Sequence, residues 1–241
     1  MHRIAKFVIH INYFVCTKFT MDTLYHFPLC PFSRKVRIFL KEKKFNFHQI
    51  EENPWKKRED FIKINPVCQV PVLISGQYVI ADSQAICEYI EELYDSIPML
   101  SSSLYIRAIV RKLIFWIDYK FYNEVTRYII NEKISKLYIK NASPDSRFIQ
   151  AARQNLLPHI RYIEKLLKTT SWVACNEFTL ADITLAAHIS VLDYVNILPW
   201  HLLPTLKEWY SLVKSRPSFS EILNDKVTEI TPPVHYQLLD F

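Results

Sequence analysis

The chain has 241 residues, of which 50% are hydrophobic and 14% aromatic, so it can bury a substantial core and is not disordered. Its formal charge of +6 comes from scattered lysines and arginines, without the long basic run and interleaved aromatic residues that indicate nucleic-acid binding. No apolar run reaches the roughly 20 residues that a membrane-spanning helix needs, so we expect no integral membrane segment.

The first twenty residues faintly resemble a signal peptide. His10 and Asn12 interrupt the apolar part, however, and no small-x-small cleavage site follows. Met21 lies just ahead of the first recognisable strand. We therefore expect residues 1–21 to be an N-terminal extension outside the fold, either an upstream translation artefact or a loose arm; a membrane-surface helix is the less favoured alternative.

Residues 22–95 read as a compact α/β domain. Strands are predicted at 25–27, 45–50, 69–74 and 77–80, and helices at 31–43, 55–64 and from Asp82 to about Tyr94. The second strand is expected to run parallel to the first, because a helix-length crossover separates them. Ser75-Gly76 indicates a hairpin between the last two strands.

Residues 104–223 form a second, all-helical domain. Helical periodicity predicts helices near 104–137, 145–168, 180–194 and 203–214, broken by prolines. Phe115, Trp116, Tyr119 and Tyr122 recur at helical spacing on the first of these, as expected of a core, a dimer interface or a binding pocket. Residues 224–241 form a C-terminal tail.

The first candidate site is Cys30, which a short β-rich run delivers to the start of a helix. Pro31 follows it, as is favoured in a first helical turn, and Ser33 comes two residues later. The positive end of the helix dipole would stabilise a thiolate and lower the pKa of Cys30. We expect a thiol-handling site here; a buried, inert cysteine is the alternative.

The remaining cysteines suggest neither disulfides nor zinc. Cys16, Cys68, Cys87 and Cys175 are widely spaced, the total of five is odd, and no metal-ligand pattern is present. This usage predicts a reducing cytoplasm and no metal. The single glycine, Gly76, excludes glycine-rich nucleotide motifs.

Two further patterns carry candidate binding groups. Pro71 opens a strand after Val70, so the bond between them can be cis, which would turn the N–H and C=O of Val70 outward to pair with an extended ligand; an ordinary trans bond is the alternative. Asp82-Ser83 opens a helix and could hold a carboxylate, although simple N-capping is favoured.

A third pattern is structural. Thr179 and Asp182 form a capping box with Phe178 as its staple, and we expect the helix that follows to be central.

Taken in order, four motifs resemble the glutathione transferase superfamily: Cys30-Pro-Phe-Ser33, Asn65-Pro-Val-Cys-Gln-Val70-Pro71, Ala81-Asp82-Ser83-Gln-Ala-Ile86 and Phe178-Thr-Leu-Ala-Asp182. The resemblance implies a thioredoxin-like domain followed by a helical bundle. It also implies that Val70 and Pro71 present the edge that pairs with the cysteinyl backbone of glutathione. Asp82 and Ser83 would hold the γ-glutamyl end, while Cys30 or Ser33 would face the sulfur.

Two departures from the family pattern put glutathione binding in doubt. The family usually has glycine where this chain has Cys68 and Cys175. If either position needs a positive φ, a side chain there costs roughly 1–2 kcal/mol.

The C-terminal part resembles one subgroup, bacterial division proteins that have this fold and bind the tubulin-like FtsZ. Its carriers are Ala187–Tyr194, Trp209-Tyr210 with Lys214–Phe219, and the ending Pro232-Pro-Val-His235-Tyr236-Gln-Leu-Leu-Asp240-Phe241. FtsZ or another division protein is the implied partner, at the division site, with His235, Tyr236, Asp240 and Phe241 in an exposed docking tail. A strap lying along its own helical domain is the alternative. A homodimer is implied because family members are usually dimeric.

Two functions therefore compete. The favoured one is a division factor with the transferase fold that binds FtsZ filaments. The alternative is a glutathione-dependent transferase or thiol transferase that acts on small electrophiles or mixed disulfides. A redox or folding adaptor that uses Cys30 without turnover is a third hypothesis.

Overall fold

The computed structural model describes residues 21–94 and 97–241. Apart from Met21, the extension predicted for residues 1–21 lies outside the described residues. The N-terminal domain contains β1 (Thr23–His26), α1 (Pro31–Glu42), β2 (His48–Glu51), a 3₁₀ turn (Pro54–Lys56), α2 (Glu59–Ile64), β3 (Val72–Ser75), β4 (Tyr78–Ala81) and α3 (Ser83–Leu93).

The sheet has the strand order β2-β1-β3-β4, with β1 parallel to β2 and the other pairs antiparallel. The predicted parallel crossover is therefore confirmed. The predicted hairpin is also confirmed: Ser75 pairs with Tyr78 across a two-residue turn, in which Gly76 has a φ of +58°. This positive φ is one that glycine adopts without strain.

The helical domain follows, and the thioredoxin-like domain plus helical domain of the prediction is confirmed. Its helices are α4 (Leu104–Phe115), a π-helix (Trp116–Thr126), α5 (Arg127–Lys133), α6 (Ser146–Leu167), α7 (Leu180–Tyr194), α8 (Pro204–Lys214) and α9 (Ser220–Leu223); 3₁₀ turns cover Ser135–Tyr138, Trp200–Leu202 and Pro217–Phe219. None of the helices in the described ranges is both long and apolar enough to cross a membrane.

The helix predicted at 104–137 is present as a continuous helical run over 104–133, followed by a 3₁₀ turn, but its middle part widens into the π-helix. Along the π-helix and into α5, buried apolar side chains recur every four residues, at Ile117, Phe121, Val125 and Ile129. That repeat is longer than the 3.6 residues of an α-helix, and turns closed by i→i+5 hydrogen bonds keep these side chains on one face.

Helix α7 is the central element, as expected, because all 15 of its residues are buried. Its capping box is present: the Asp182 carboxylate accepts from the backbone N–H of Thr179, and the Thr179 side chain caps the first turn. One face of α7 packs against α1, so this contact joins the two domains.

The C-terminal strap, as we name residues 224–241, packs on the helical domain, so the expectation of an exposed tail is wrong. Tyr236 is fully buried, and its hydroxyl donates to the carbonyl of Ile222 at 3.0 Å. Phe241 packs edge-on against Trp200, with ring centroids 5.0 Å apart. Burial of these aromatic side chains stabilises the docked strap by more than the conformational entropy that the chain end loses. This agrees with the alternative of a strap lying along its own helical domain.

Lys214 fixes the strap further. Its ammonium group donates to the carbonyls of His235 and Leu238 and lies 4.3 Å from the centre of the Phe241 ring. Burial lowers the pKa of Lys214 to about 8.

Candidate functional site: the cavity between the domains

A cavity of about 850 Å³ opens between the two domains. One wall comes from the β1–α1 loop, the segment before β3 and the start of α3; the other comes from α4, the π-helix and α5. Of the predicted residues, Cys30, Val70, Asp82 and Ser83 line the cavity. The structure therefore brings together residues from three separate segments of the chain.

Cys30 lies at the N-cap position of α1, but its environment differs from the one expected. Its thiol donates to the carbonyl of Val70 at 3.7 Å. Burial raises the pKa of Cys30; the N–H groups of Ser33 and Phe32, the Ser33 hydroxyl and the charge of Arg34 oppose this shift only in part. The expected lowering of the pKa is therefore wrong, because desolvation outweighs the helix terminus.

Ser33 and Pro71 lie behind the cavity wall, where both are buried. Ser33 is fully buried, and its hydroxyl accepts from the backbone N–H of Phe27 at 3.2 Å. Ser33 itself does not line the cavity. The catalytic roles of Cys30 and Ser33 stay predictions.

Val70 presents backbone groups to the cavity. The Val70–Pro71 bond is cis, which confirms the cis alternative over the trans one. Its carbonyl accepts from the Cys30 thiol, whereas its N–H has no hydrogen-bond partner among residues 21–94 and 97–241. The N–H is thus the donor that an extended peptide ligand would meet.

Asp82 is the N-cap of α3, as favoured from the sequence. One carboxylate oxygen accepts from the N–H groups of Gln84 and Ala85, at 2.8 and 3.0 Å. Its φ of +80° is unusual for a residue with a side chain. The carboxylate nevertheless stays exposed at the cavity, whereas Ser83 is buried beside it.

Cys68 and Cys175, the two departures from the family pattern, differ in their backbone conformation. Cys68 has a φ of +54°, so a side chain occupies a left-handed position at the cavity wall. Cys175 is not among the described residues with positive φ. The anticipated strain of about 1–2 kcal/mol therefore applies at Cys68 alone.

A polar cluster that the sequence did not reveal lies against the cavity, and two of its members, Gln84 and Asp118, line it. Lys35 is fully buried and donates to Gln84 and Asp118, at 2.7 and 2.6 Å. The other carboxylate oxygen of Asp118 lies 3.3 Å from His188, whose second ring nitrogen lies 3.1 Å from Thr126. We call these five residues the Lys35 cluster.

Asp118 is ionised in this cluster. Burial acts to raise its pKa, but the charge of Lys35 and the hydrogen bond from His188 outweigh burial, and the net pKa is lowered. No group of three potential metal ligands occurs within the described ranges. No local signal in the sequence could have joined four separate helical segments into one cluster.

The helical domain supplies the aromatic wall. Phe115, Tyr119 and Tyr122 line the cavity as their spacing allowed, whereas Trp116 turns away and packs on Tyr162. Burial and the neighbouring Cys30 raise the pKa of Tyr122 to about 12, so its hydroxyl is protonated at neutral pH. The cavity can therefore hold an apolar body between a thiol, a phenol and an exposed carboxylate.

A thioredoxin-like domain that carries Cys30 at a helix start, joined to a helical domain across this cavity, defines the architecture of glutathione transferases. Two family models match the chain accordingly: the glutathione S-transferase N-terminal domain over residues 24–98, and the corresponding C-terminal domain over residues 147–211. The chain belongs to the glutathione S-transferase family.

Individual relatives cover nearly all of the chain. FtsZ-localized protein A of Caulobacter vibrioides is 40% identical over 223 residues, which is 91% of this chain and 98% of that protein. The structure of FzlA from C. crescentus is 39% identical with a TM-score of 0.89. A glutathione S-transferase from Rhodospirillum rubrum F11 is 44% identical, also with a TM-score of 0.89. Both structures cover 92% of this chain and are themselves covered completely.

Proposed function

We propose that this chain is a cell-division factor with the glutathione transferase fold, which binds FtsZ filaments and acts in the cytoplasm at the division site. The observation that carries the proposal is its 40% identity to a protein named as FtsZ-localized, over 98% of that protein. Similarity over nearly the whole length of both proteins supports a shared role more strongly than similarity confined to one domain would.

The cavity supports a role other than rapid thiol chemistry. Burial raises the pKa of Cys30, so little thiolate is present near neutral pH, and thiolate is the nucleophilic form. Ser33, the other candidate, is enclosed. Cys68 adds a strained side chain to the wall that would hold a ligand backbone.

The exposed side of the strap is the proposed docking element. Val234, Leu238, Leu239 and Asp240 are exposed there, while His235 and Phe241 are half-buried. Tyr236, expected to contact the partner, is instead the buried anchor that holds the strap in place. An anchored strap presents its exposed side chains with less loss of conformational freedom on binding than a free tail would.

A homodimer belongs to the proposal. Leu104, Ala108, Phe115 and Tyr119 form an exposed stripe along one side of α4 and the π-helix. The rings of Phe115 and Tyr119 stack, with centroids 5.3 Å apart. A second copy of this chain is the occupant we propose for this stripe, in keeping with the dimers usual in the family.

Co-sedimentation with GTP-assembled FtsZ filaments tests the main proposal. We expect the protein to pellet with filaments and to stay in the supernatant without them. Leu239→Asp should lower the pelleted fraction, whereas Leu157→Asp, the same change at an exposed position of α6, should not. A wild-type protein that never pellets with filaments would sink the proposal.

The second candidate is a glutathione-dependent transferase, favoured by the open N–H of Val70 and the exposed carboxylate of Asp82 beside Cys30. These groups fit a peptide backbone and an ammonium group respectively. Retention on immobilised glutathione, with conjugation of an electrophile that Cys30→Ser or Asp82→Ala removes, would establish it. Retention and turnover without filament pelleting would reverse the order of the two candidates.

A further inference from the structure

Arg34 joins three separate parts of the molecule although it lies entirely inside it. It belongs to α1, one turn beyond Cys30, and is fully buried. Its Nε donates to the carbonyl of Pro28 at 2.6 Å, and its two terminal nitrogens donate to Ser190 of α7 at 2.9 Å and to Asp225 of the strap at 3.2 Å. A planar guanidinium suits such a three-way junction, because its donors point in fixed directions.

The strap covers the guanidinium from the other side. The Arg34 guanidinium lies 6.0 Å from the ring centre of Tyr236 and 5.7 Å from that of Tyr194, and these two rings pack edge to face. Asp225 also receives two hydrogen bonds from Arg37, at 2.8 and 2.9 Å. The strap is thereby held against α1 by charge at its start and by an aromatic ring near its end.

The contact to Pro28 reaches the loop that carries Cys30. Pro28 lies two residues before Cys30, and the loop is a tight turn in which the N–H of Cys30 donates to the carbonyl of Phe27 at 3.0 Å. The Arg34–Pro28 bond ties this turn to the protein interior from behind. A buried carbonyl that lost this charged donor would be left unsatisfied, so the turn would have to shift.

We infer that Arg34 is a positioning residue for Cys30, and that the C-terminal strap sets the position of the Cys30 loop through it. The docked strap covers Arg34, Arg34 holds Pro28, and Pro28 fixes the turn that ends at the thiol. A molecule that binds the strap and one that binds the cavity therefore influence each other. Such coupling acts equally in both directions, because binding free energies are linked.

The chain offers a matched control at the other end of α1. Glu42 accepts from Arg216 at 2.6 and 2.8 Å and from Ser218 at 2.5 Å, so it too joins α1 to the helical domain. None of these contacts touches the Cys30 loop. Glu42→Gln therefore weakens the domain contact without weakening the proposed connection.

The test measures alkylation of each cysteine by iodoacetamide, followed peptide by peptide in the full-length protein by mass spectrometry. Tyr236→Ala and removal of residues 232–241 should each speed alkylation of Cys30 by about fivefold or more, since a contact of ordinary strength is lost. Cys175, in the loop before α7, should react at its wild-type rate. In Glu42→Gln, Cys30 should stay within about twofold of wild type.

Two readouts separate positioning from mere stability. Tyr236→Phe keeps the ring over Arg34 and should restore the slow Cys30 rate, although it loses the bond to Ile222. The pH profile of Cys30 alkylation should also move to lower pH in Tyr236→Ala, because burial is what raises the pKa of this thiol. Asp225→Asn is a second, milder variant that should act in the same direction.

The inference fails if Cys30 alkylation is unchanged in the strap variants or rises equally in Glu42→Gln. It fails as well if the buried Cys87 accelerates together with Cys30, because that pattern marks general loosening. FtsZ is absent from the experiment, so this outcome and the outcome of filament pelleting are independent of each other.

Discussion

Arg34 and Lys35 are neighbours in α1 and both are fully buried, yet they serve opposite sides of the molecule. Arg34 faces α7 and the strap, whereas Lys35 faces α3 and the π-helix under the cavity. Consecutive helical residues point about 100° apart, which lets one helix carry both.

The difference between the two sides lies in what each cation does. Arg34 uses its fork of donors to connect three chain segments, whereas Lys35 acts as a point charge that keeps Asp118 ionised at the cavity. A buried charge at the strap side thus serves architecture. On the cavity side it sets the chemistry of a wall that a ligand would touch.

The largest expected effect comes from removing the charge on the cavity side. Lys35→Met leaves Asp118 without its main partner and should lower the free energy of unfolding by about 3 kcal/mol. Urea denaturation measures this loss. Adding Asp118→Asn should recover part of it, because the unpaired carboxylate is then gone; a double variant as unstable as the sum of the single ones would contradict the pairing.

On the strap side of the molecule, His26 should remain uncharged in the folded protein. Burial and the nearby Arg37 lower the pKa of His26 to about 3, and its Nδ1 has no hydrogen-bond partner within the described part of the chain. The unfolded chain takes up this proton below about pH 6.5 while the folded one does not, so stability falls as the pH falls between about 6.5 and 3.

His26→Phe should remove that contribution, which is about 2 kcal/mol between pH 7 and pH 5. Urea denaturation of both proteins at the two pH values measures it. Equal losses of stability on acidification in wild type and variant would show that His26 titrates normally in the fold.

Helix α7 serves both sides, since it carries Ser190 beside Arg34 and His188 in the Lys35 cluster. Loss of the capping box in Thr179→Ala should cost about 1 kcal/mol of stability, because orphan N–H groups at the helix start lose an acceptor. Thermal unfolding gives the change. Ser103→Ala, which uncaps the peripheral α4, should cost less, and the reverse order would contradict the central position of α7.

The smallest expected effect is a gain in stability from a change on the cavity side. Cys68→Gly should stabilise the protein by up to about 1 kcal/mol, because it relieves the left-handed backbone at this position. Cys175→Gly is the matched control and should give no gain, since Cys175 is not among the positive-φ residues. A gain at Cys175 and none at Cys68 would refute the explanation.

Much of the fold follows from local patterns. Proline and capping residues marked the helix starts at Pro31, Asp82 and Thr179, and the helices predicted at 145–168, 180–194 and 203–214 lie within two residues of α6, α7 and α8. The strand before the hairpin begins later than predicted, at Val72 rather than residue 69, because the chain turns at Val70–Pro71 before it joins the sheet.

The site was predictable in its positions and not in its electrostatics. Motifs placed Cys30, Val70 and Asp82 on one wall, since each lies at the end of a recognisable element. The pKa of Cys30 depends on how deeply the folded chain buries the thiol, which no local pattern encodes. Lys35 was missed, and Tyr236 was wrongly placed on an exposed tail, for the same reason: the partners of each are distant in the chain.

The π-helix between Trp116 and Thr126 has more residues per turn than an α-helix. The cavity wall opposite Cys30 therefore contains more residues than an α-helix of the same length would. Deleting one residue between Asp118 and Tyr122 would turn one of these side chains around the helix axis relative to the other. Asp118 and Tyr122 would then not both face inward. Small differences in length between homologues at this point would exchange the groups that meet a guest molecule, even where every motif is retained.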